Sequence, residues 1–498
     1  MSKELLTHLL NDSTANTLSN SIWGIVPIKG RVINMSFITE HVAEREPYRI
    51  KSGEGWTNKD GVPLNLDYGP GSLDLKSKIE LAFIRAREEL SRVGGIRFIF
   101  TPDDQKSDIN YFINEETGSS LPVAQTVVSD NFESAEDDFA LIGFNNYALI
   151  DGSAIADQGV IDWLVLHEML HPFGFQDIRI TSKAGTEDDL QSETILSYRF
   201  GNSELFHDIQ EVVPLDIPDN LQARTSLSIA DTWALQQVVG ANEASNVGNN
   251  NYKLTDLTYT TIWDAGGEND TIDASDLGGG NIITDPLFDQ GVTIDLRQGQ
   301  TSSFEVGGYQ VGIAFGAVIE NAIGSDDDDI IVGNSVGNTI LANDGADYIF
   351  GSAEALREFQ ESPFDYVSAS DAVDLEFINT LLVDASDEDW TYDGLTNGQP
   401  DINGERPDAE DDDDIIFGGA GDDRIFGGDG FDTIIAGDGD DVAFGGAIDD
   451  IIFGGKGDDE LVGEEGRDIL LGGDDSDTLY GDDRESGNDV NTVTSGDW

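Results

Sequence analysis

The sequence predicts an α+β domain followed by an all-β domain built as a parallel β-roll. Three observations predict this architecture. Helical and strand-like patterns alternate in the first half, one predicted helix contains a His-Glu-x-x-His motif, and the chain repeats every nine residues from Ala409 onward. A chain of 498 residues also exceeds the size of one ordinary hydrophobic core.

Composition limits the possible partners. The chain has 98 acidic and 26 basic residues and a net charge of −72, so we expect no nucleic-acid partner. It contains no cysteine and therefore no disulfide bond. No stretch approaches the ~18 apolar residues of a membrane-spanning helix, so we expect no transmembrane segment. We expect the chain to act as a monomer.

The first half contains the elements of the predicted α+β domain, which we expect over residues 25–243. Residues 1–24 lack a long apolar core and a clear cleavage site, so we expect an N-terminal extension or a short propeptide. A first helix is predicted at 73–95, where apolar residues recur at helical spacing until Gly94. Strand-like runs follow at 96–100, 108–114, 122–128 and 139–144, and a second helix is predicted at 157–171.

The second helix contains the candidate metal ligands. His167 and His171 lie four residues apart and so share one helix face, with Glu168 beside them as a candidate base. A catalytic zinc usually has three protein ligands and one open position for water. Gly174 is expected to end the helix and reverse the chain, which would return Asp177 toward the histidines as the third ligand. Two alternatives remain: Asp177 is a solvated loop acid or helix cap, or His207 is the third ligand.

The tail from 409 to 483 is an array of nine-residue repeats. Position eight of each unit is apolar, as at Ile416 and Leu470, and glycines fill the turns. Counted from Ala409, position six is always aspartate: Asp414, Asp423, Asp432, Asp441, Asp450, Asp459, Asp468 and Asp477. A shorter array at 324–351 has Asp329, Asn338 and Asp347 at position six.

This repeat predicts a calcium-binding β-roll. Each glycine-rich half is a tight turn, each apolar position eight points inward, and carboxylate oxygens of neighbouring turns suit Ca²⁺. The aromatic residues at position nine, such as Phe426 and Phe444, are expected to face outward. The alternative is a disordered acidic tail. Extracellular calcium modules bind weakly and fold when the metal binds, so we expect the chain to be secreted and folded outside the cell.

The repeat resembles the calcium-binding nonapeptide of RTX proteins, and the chain as a whole resembles the serralysins, which are secreted zinc peptidases of the metzincin group. The zinc motif reads His167-Glu168-x-x-His171-x-x-Gly174-Phe175-x-Asp177. Downstream, "ETILSYRF" resembles the methionine-containing turn of that family, and "LSIADTWALQQVVGAN" resembles its last catalytic-domain helix. "IWDAGGENDTIDAS", "GVTIDLRQG" and "GIAFGAVIENAIG" resemble its C-terminal domain, which we expect over 244–498 with an insert at 352–408.

The resemblance implies a role for several residues. His167 and His171 would bind one zinc ion, Glu168 would be the general base, and Tyr198 would stabilise the tetrahedral intermediate. The strand at 122–128 would bind an extended protein or peptide substrate. Gly267 and Asp270 would join the position-six residues in binding several calcium ions. The resemblance also implies a type I secretion machinery as partner, with the export signal at the C-terminus.

The chain differs from the family pattern at three positions. Asp177 replaces a histidine, Leu196 replaces the methionine of the turn, and Pro172 follows the second histidine, where it cannot donate to the Glu168 carbonyl. Leucine has a volume similar to that of methionine, so the turn is expected to survive as packing beneath the metal. The differences leave an alternative open, in which the chain is a non-catalytic secreted calcium-binding protein with a decayed peptidase domain.

Overall fold

The computed structural model describes residues 30–37, 56–57, 63–64, 70–101, 107–114, 124–128, 140–145, 150–151, 154–155, 158–175, 194–196, 199–200, 203–204, 225–257, 260–267, 269–277, 290–303, 310–353, 355–356, 359, 413–481 and 492–494. The chain divides into two compact units, one formed by Met1–Ser245 with Tyr259–Thr261 and the other by Asn246–Thr258 with Ile262–Trp498. No helix in the described ranges is long and apolar enough to cross a membrane.

The described part of the first unit contains a mixed sheet and three helices. Its helices are α1 (Pro70–Val93), α2 (Gln158–Leu170) and α3 (Ile229–Val239), and a 3-10 segment (His171–Phe173) follows α2. The main strands are β1 (Val32–Phe37), β4 (Arg97–Phe100), β5 (Ile109–Asn114), β6 (Ala124–Val128) and β7 (Ala140–Asn145). Short strands pair as β2 (Trp56–Thr57) with β3 (Pro63–Leu64), β8 (Ile150–Asp151) with β9 (Ala154–Ile155), and β10 (Arg199–Phe200) with β11 (Ser203–Glu204).

The five-stranded sheet has the order β4-β1-β5-β7-β6. Its strands run parallel except β6, which is antiparallel to β7 and forms the edge of the sheet. The apolar stripe of α1 is buried as predicted, and Phe83 stacks on Tyr111 of β5 with ring centroids 4.0 Å apart. The α+β class predicted for this part of the chain is confirmed, and the edge strand covers most of the predicted run at 122–128.

From Asn251 onward the chain forms short strands, most of which run parallel to their neighbours, whereas the strand Thr301–Ser303 is antiparallel to both strands with which it pairs. They begin with β12 (Asn251–Lys253), β13 (Thr260–Ile262), β14 (Thr271–Asp273), β15 (Gln290–Asp295), β16 (Thr301–Ser303), β17 (Gln310–Ile313), β18 (Asn321–Ile323), β19 (Asp328–Val332), β20 (Thr339–Asp344) and β21 (Tyr348–Phe350). The nine-residue array contributes β22 (Ile415–Ala420), β23 (Arg424–Gly428), β24 (Thr433–Asp438), β25 (Val442–Ala447), β26 (Ile451–Lys456), β27 (Glu460–Glu465), β28 (Ile469–Asp474) and β29 (Thr478–Tyr480), and β30 (Thr492–Thr494) follows.

Successive strands alternate between two facing sheets, so that strands two repeats apart are neighbours. The first sheet continues β18-β20-β22-β24-β26-β28-β30, and the second continues β15-β19-β21-β23-β25-β27-β29. Ile416, Ile434 and Ile452 are in register in the first sheet and are fully buried between the sheets. The predicted parallel β-roll is therefore confirmed, with the apolar position eight as its core.

The two repeat arrays form one continuous roll. Strand β20 pairs directly with β22, and β21 pairs directly with β23, although the insert at 352–408 separates the two arrays in the chain. The register is the same as between later repeats, with Ile340 opposite Ile416 and Ile349 opposite Ile425. The inserted segment therefore leaves the hydrogen-bond ladder uninterrupted.

In the second sheet the position-nine residues lie on the face opposite the inward position eight, but this outer face is covered and not exposed to solvent. Phe426 and Phe444 are only 5% and 4% exposed, and their rings stack with centroids 5.1 Å apart. Leu356 and Phe359 belong to the same buried cluster, and Phe359 lies 5.4 Å from Phe426 between ring centroids. Residues near the start of the insert thus help to cover this ladder of rings. In the first sheet, Phe453 remains 38% exposed at the same repeat position.

Candidate active site

Helix α2 presents the candidate metal ligands from inside the first unit. Every residue from Val160 to Leu170 is buried, so this helix lies in the core. His167 is fully buried, Glu168 is 2% exposed, and His171 is partly exposed at the end of the helix. One ligand atom from each of these three side chains lies within 4.8 Å of the others, which is close enough for a common metal ion.

Both histidines are oriented by backbone carbonyls. Nδ1 of His167 lies 2.9 Å from the carbonyl oxygen of Ile195, and Nδ1 of His171 lies 2.9 Å from that of Phe175. A carbonyl accepts hydrogen bonds only, so each Nδ1 must carry the proton. Each Nε2 then has the lone pair that can bind a metal, which is the usual arrangement of zinc-binding imidazoles. The donor set therefore fits a zinc ion.

The chain reverses directly after the second histidine. Gly174 has φ of 96° and its N–H donates to the His171 carbonyl at 2.9 Å, which ends the helical segment as predicted. Pro172 lies within the 3-10 segment, beyond the last residue of α2. The residues proposed as third ligand and transition-state stabiliser, Asp177 and Tyr198, lie outside the described residues, and so does the alternative ligand His207.

The turn that orients His167 is held by an aspartate that the sequence did not single out. Asp231, near the start of α3, accepts hydrogen bonds from Thr194 Oγ1 at 2.5 Å and from the Ile195 N–H at 2.8 Å. It also closes a capping box with Ser228. Leu196, which replaces the methionine of the family turn, is 1% exposed in the same turn. A capping motif, Ser-x-x-Asp, was the only sequence signal for Asp231.

Thr126 is a second residue that the sequence did not single out. It lies on the edge strand β6, and its hydroxyl is 2.6 Å from Oε2 of Glu168 and 3.0 Å from the Glu168 carbonyl oxygen. The candidate base is therefore in direct contact with the strand expected to bind substrate. No local pattern around Thr126 indicates this contact, because the two residues are 42 positions apart.

The position-six aspartates of the roll form an ordered ladder. From Asp347 onward, one carboxylate oxygen of each accepts from the N–H of the position-six residue two repeats earlier, as in Asp414 N to Asp432 Oδ1 at 2.8 Å; for Asp414 the donor is Asn338. The other oxygen, Oδ2, is buried without a hydrogen-bond donor in the described part of the chain at Asp347, Asp423, Asp441, Asp450, Asp459 and Asp477. Asp414, Asp432 and Asp468 are buried in equivalent positions. Ionised oxygens in such places are stabilised by cations.

Burial is the main cause of the raised pKa values of the aspartates in this ladder. It raises the pKa of Asp347 and Asp450 to about 9, that of Asp423 to about 8 and that of Asp459 to about 7. Neighbouring carboxylates raise these pKa values further. The pKa of Asp441 rises to about 6 for the same reasons. The ionised form of these carboxylates is therefore stabilised by a nearby cation, and Ca²⁺ prefers oxygen ligands.

Glycine is required beside the buried oxygens. A Cβ atom on Gly454 would overlap both Oδ2 of Asp459 and the carbonyl oxygen of Gly472 two repeats later. The same overlap with the aspartate of the repeat would occur at Gly418, Gly427, Gly445, Gly463 and Gly472. Each turn therefore gathers a carboxylate oxygen and backbone carbonyls around a space that a side chain cannot enter, which suits a calcium ion.

The other predicted calcium residues differ in how their oxygens are used. Asp270 resembles the ladder: burial raises its pKa, and a Cβ on Gly267 would overlap its carboxylate. Both oxygens of Asp329 accept hydrogen bonds, from Val292 and Ser325, and burial raises its pKa to about 7. Asn338 takes the aspartate position of its repeat and donates to the Glu320 carbonyl at 3.0 Å.

Comparison with known protein families agrees with the geometry of the roll. Residues 236–393 match the family described as Peptidase M10 serralysin C terminal. Four copies of the RTX calcium-binding nonapeptide repeat match at 408–434, 426–461, 435–470 and 453–483. The chain therefore has a serralysin-type C-terminal domain and RTX repeats.

Several curated proteins are similar to part of the chain. The metallopeptidase AprA of Pseudomonas marginalis is 29% identical over 214 residues, which cover 34% of this chain and 42% of that protein. Serralysin of Proteus mirabilis is 30% identical over 191 residues, covering 35% of this chain and 36% of that protein. Serralysin G of Dickeya chrysanthemi is 38% identical over 126 residues, covering 22% and 24%. The chain is thus homologous to these metallopeptidases and spans less than half the length of each.

Proposed function

We propose that this chain, with its serralysin-type C-terminal domain and RTX repeats, is a secreted zinc-dependent endopeptidase whose roll folds with calcium. The observation that carries the proposal is the convergence of His167, Glu168 and His171, with both Nδ1 atoms facing carbonyls. His167 and His171 would hold the metal by Nε2, and Asp177 is the proposed third ligand. A bound zinc ion supplies Lewis acidity that polarises the substrate carbonyl and acidifies the attacking water.

Two residues of the chain are proposed to transfer the proton and to stabilise the oxyanion. Glu168 takes a proton from the attacking water and passes it to the nitrogen of the leaving amine, so its proton balance is restored in each cycle. Its burial at 2% exposure excludes bulk water from this exchange. Tyr198 is proposed to donate a hydrogen bond to the oxyanion of the tetrahedral intermediate.

Strand β6 is the proposed substrate strand. Among the described strands it forms the edge of the five-stranded sheet and is hydrogen-bonded on one side to β7. Its other edge can pair with an extended peptide by β-augmentation, in which main-chain hydrogen bonds give affinity without a demand on sequence. Thr126 in the middle of this strand contacts Glu168, so a peptide bound there lies close to the proposed base.

The calcium-binding roll supports secretion as part of the proposal. A chain with a net charge of −72 repels itself when compact unless cations neutralise the charge. The buried aspartate oxygens of the ladder are the places where this cost is largest. At low calcium inside a cell the roll would stay unfolded, which is the form proposed for export by a type I machinery, and at millimolar calcium outside it would fold.

The test is hydrolysis of casein by the full chain in calcium, with and without a zinc chelator. Glu168→Ala is expected to lose activity by a factor of about 10² or more, since general base catalysis contributes at least that much. Glu88→Ala, on the exposed face of α1, is the matched control and is expected to keep wild-type activity. Equal rates for wild type and Glu168→Ala would exclude the peptidase and favour the non-catalytic calcium-binding alternative, which Asp177, Leu196 and Pro172 support.

A further inference from the structure

Pro172 removes a hydrogen-bond donor at the end of the catalytic helix. In a regular helix the N–H of residue 172 would donate to the carbonyl of Glu168, four residues earlier, and proline has no N–H. Glu168 is 2% exposed, so bulk water does not replace that donor readily. A buried carbonyl that loses its donor is destabilising unless another group takes its place.

Thr126 places a hydroxyl at this point. Its Oγ1 lies 3.0 Å from the Glu168 carbonyl oxygen and 2.6 Å from Oε2 of the Glu168 side chain. Both oxygens are acceptors, and a hydroxyl has one hydrogen, so the Thr126 O–H is shared between them in a three-centre hydrogen bond with the shorter contact to Oε2. One side chain on the edge strand therefore contacts both the carbonyl affected by Pro172 and the carboxylate proposed as the base.

We propose that Thr126 is a positioning residue for Glu168, and that Pro172 is the reason why this chain needs it. The single hydroxyl hydrogen, shared between the two oxygens, takes the place of the missing helix donor and holds Oε2 of Glu168. The other carboxylate oxygen, Oε1, is then the one that takes the proton from water. The catalytic half of this inference rests on the proposed function, whereas the link between Thr126 and Pro172 does not.

The backbone around Thr126 makes this contact rigid. Thr126 is opposite Ile142 in the β6–β7 pair, and β-branching restricts its χ1 rotation. The same strand is the proposed substrate strand. Thr126 therefore fixes the carboxylate of Glu168 relative to the strand along which a peptide would lie, and reacting groups misplaced by about 1 Å can lose ~10²-fold in rate.

The experiment compares four variants in the full-length, calcium-loaded chain. Thr126→Val removes the hydroxyl at nearly constant volume, Thr126→Ser keeps it, and Pro172→Ala restores an N–H to the helix end. The fourth variant combines Thr126→Val with Pro172→Ala. The matched control is Thr232→Val, because Thr232 is a buried threonine whose hydroxyl has no hydrogen-bond partner in the described part of the chain, whereas Thr126 is half-buried and its hydroxyl is bonded.

Two readouts separate the two roles of Thr126. Thr126→Val is expected to lower kcat on a peptide substrate by about 10- to 100-fold with KM within about twofold, and Thr126→Ser to restore most of kcat. Thr126→Val is also expected to lower the thermal midpoint of tryptophan fluorescence by about 2–4 °C. Pro172→Ala in the same chain should recover this midpoint but not kcat, because its N–H reaches the carbonyl and not the carboxylate. Thr232→Val should change neither readout.

The outcomes decide the inference even if the proposed peptidase activity is absent. Wild-type kcat in Thr126→Val would overturn the positioning role while leaving the peptidase proposal intact. If the wild-type chain hydrolyses nothing, the midpoints alone decide: a loss that Pro172→Ala recovers supports the link between Thr126 and Pro172. An equal loss with proline or alanine at position 172 would overturn that link.

Discussion

Replacing Asp231 by asparagine should weaken metal binding without touching a metal ligand. Oδ2 of Asp231 accepts from the N–H of Ile195 at 2.8 Å, and from the N–H and Oγ of Ser228 at 3.1 and 2.8 Å. The carbonyl of the same residue, Ile195, faces His167 Nδ1 at 2.9 Å. A displacement of Ile195 therefore moves the acceptor that orients the imidazole.

The magnitude follows from the hydrogen bonds that change. Asparagine can keep one acceptor oxygen toward these three donors, but it loses the negative charge and presents an NH₂ group to Thr194. A bond to a charged group contributes about 1.5–3 kcal/mol and a neutral one about 0.5–1.5, so three weakened bonds cost about 3 kcal/mol. Substitutions in the shell around metal-binding histidines typically reduce metal affinity by about 10- to 100-fold.

The assay is a titration of the metal-free, calcium-loaded chain with Co²⁺, followed by visible absorption, beside denaturant unfolding. Asp162→Asn is the matched control, because Asp162 is a buried aspartate of α2 that pairs with Arg85 and accepts from Gln158 at 2.8 Å. It should lower stability and leave Co²⁺ affinity unchanged. Equal Co²⁺ affinity in wild type and Asp231→Asn would refute the reasoning.

Three further predictions concern the roll. Folding raises the pKa values of Asp347 and Asp450 from 3.8 to about 9, so the calcium-free roll should be most stable below about pH 4 and lose stability as the pH rises toward about 9. Circular dichroism in a chelator would measure this, and stability that rises with pH would contradict it. Ile448 has φ of 82°, so Ile448→Gly should stabilise the chain by about 1–2 kcal/mol in urea unfolding, and a loss of stability would contradict the strain. Phe359→Ala should cost about 3–5 kcal/mol, whereas Phe453→Ala, at a 38% exposed position, should cost much less; equal losses would contradict the difference between the two sheets.

The fold could be predicted where the sequence is periodic. The nine-residue repeat fixes which residue points inward, and Ile416 and Ile434 are buried accordingly. The difference between the outer faces of the two sheets could not be predicted, because both sheets have the same repeat pattern. Leu356 and Phe359, which help to bury one face, lie outside the arrays, and no local pattern assigns them to a partner.

The candidate site could be predicted where its residues are close in sequence. The spacing of His167 and His171 places both imidazoles on one helix face, and the structure brings them within reach of one metal ion. Thr126 and Asp231 are far from the motif in sequence, and their contacts depend on tertiary packing. Pro172 showed that the Glu168 carbonyl would need another donor, but the sequence could not indicate which residue supplies it.

The most direct test of the account is the zinc content of the refolded full-length chain. The chain would be refolded in calcium and zinc, dialysed against calcium alone, and analysed by elemental mass spectrometry beside His167→Ala and His171→Ala. The account predicts one tightly bound zinc ion per wild-type chain, lost in both variants, with calcium content unchanged. Equal zinc content in wild type and His167→Ala would contradict it.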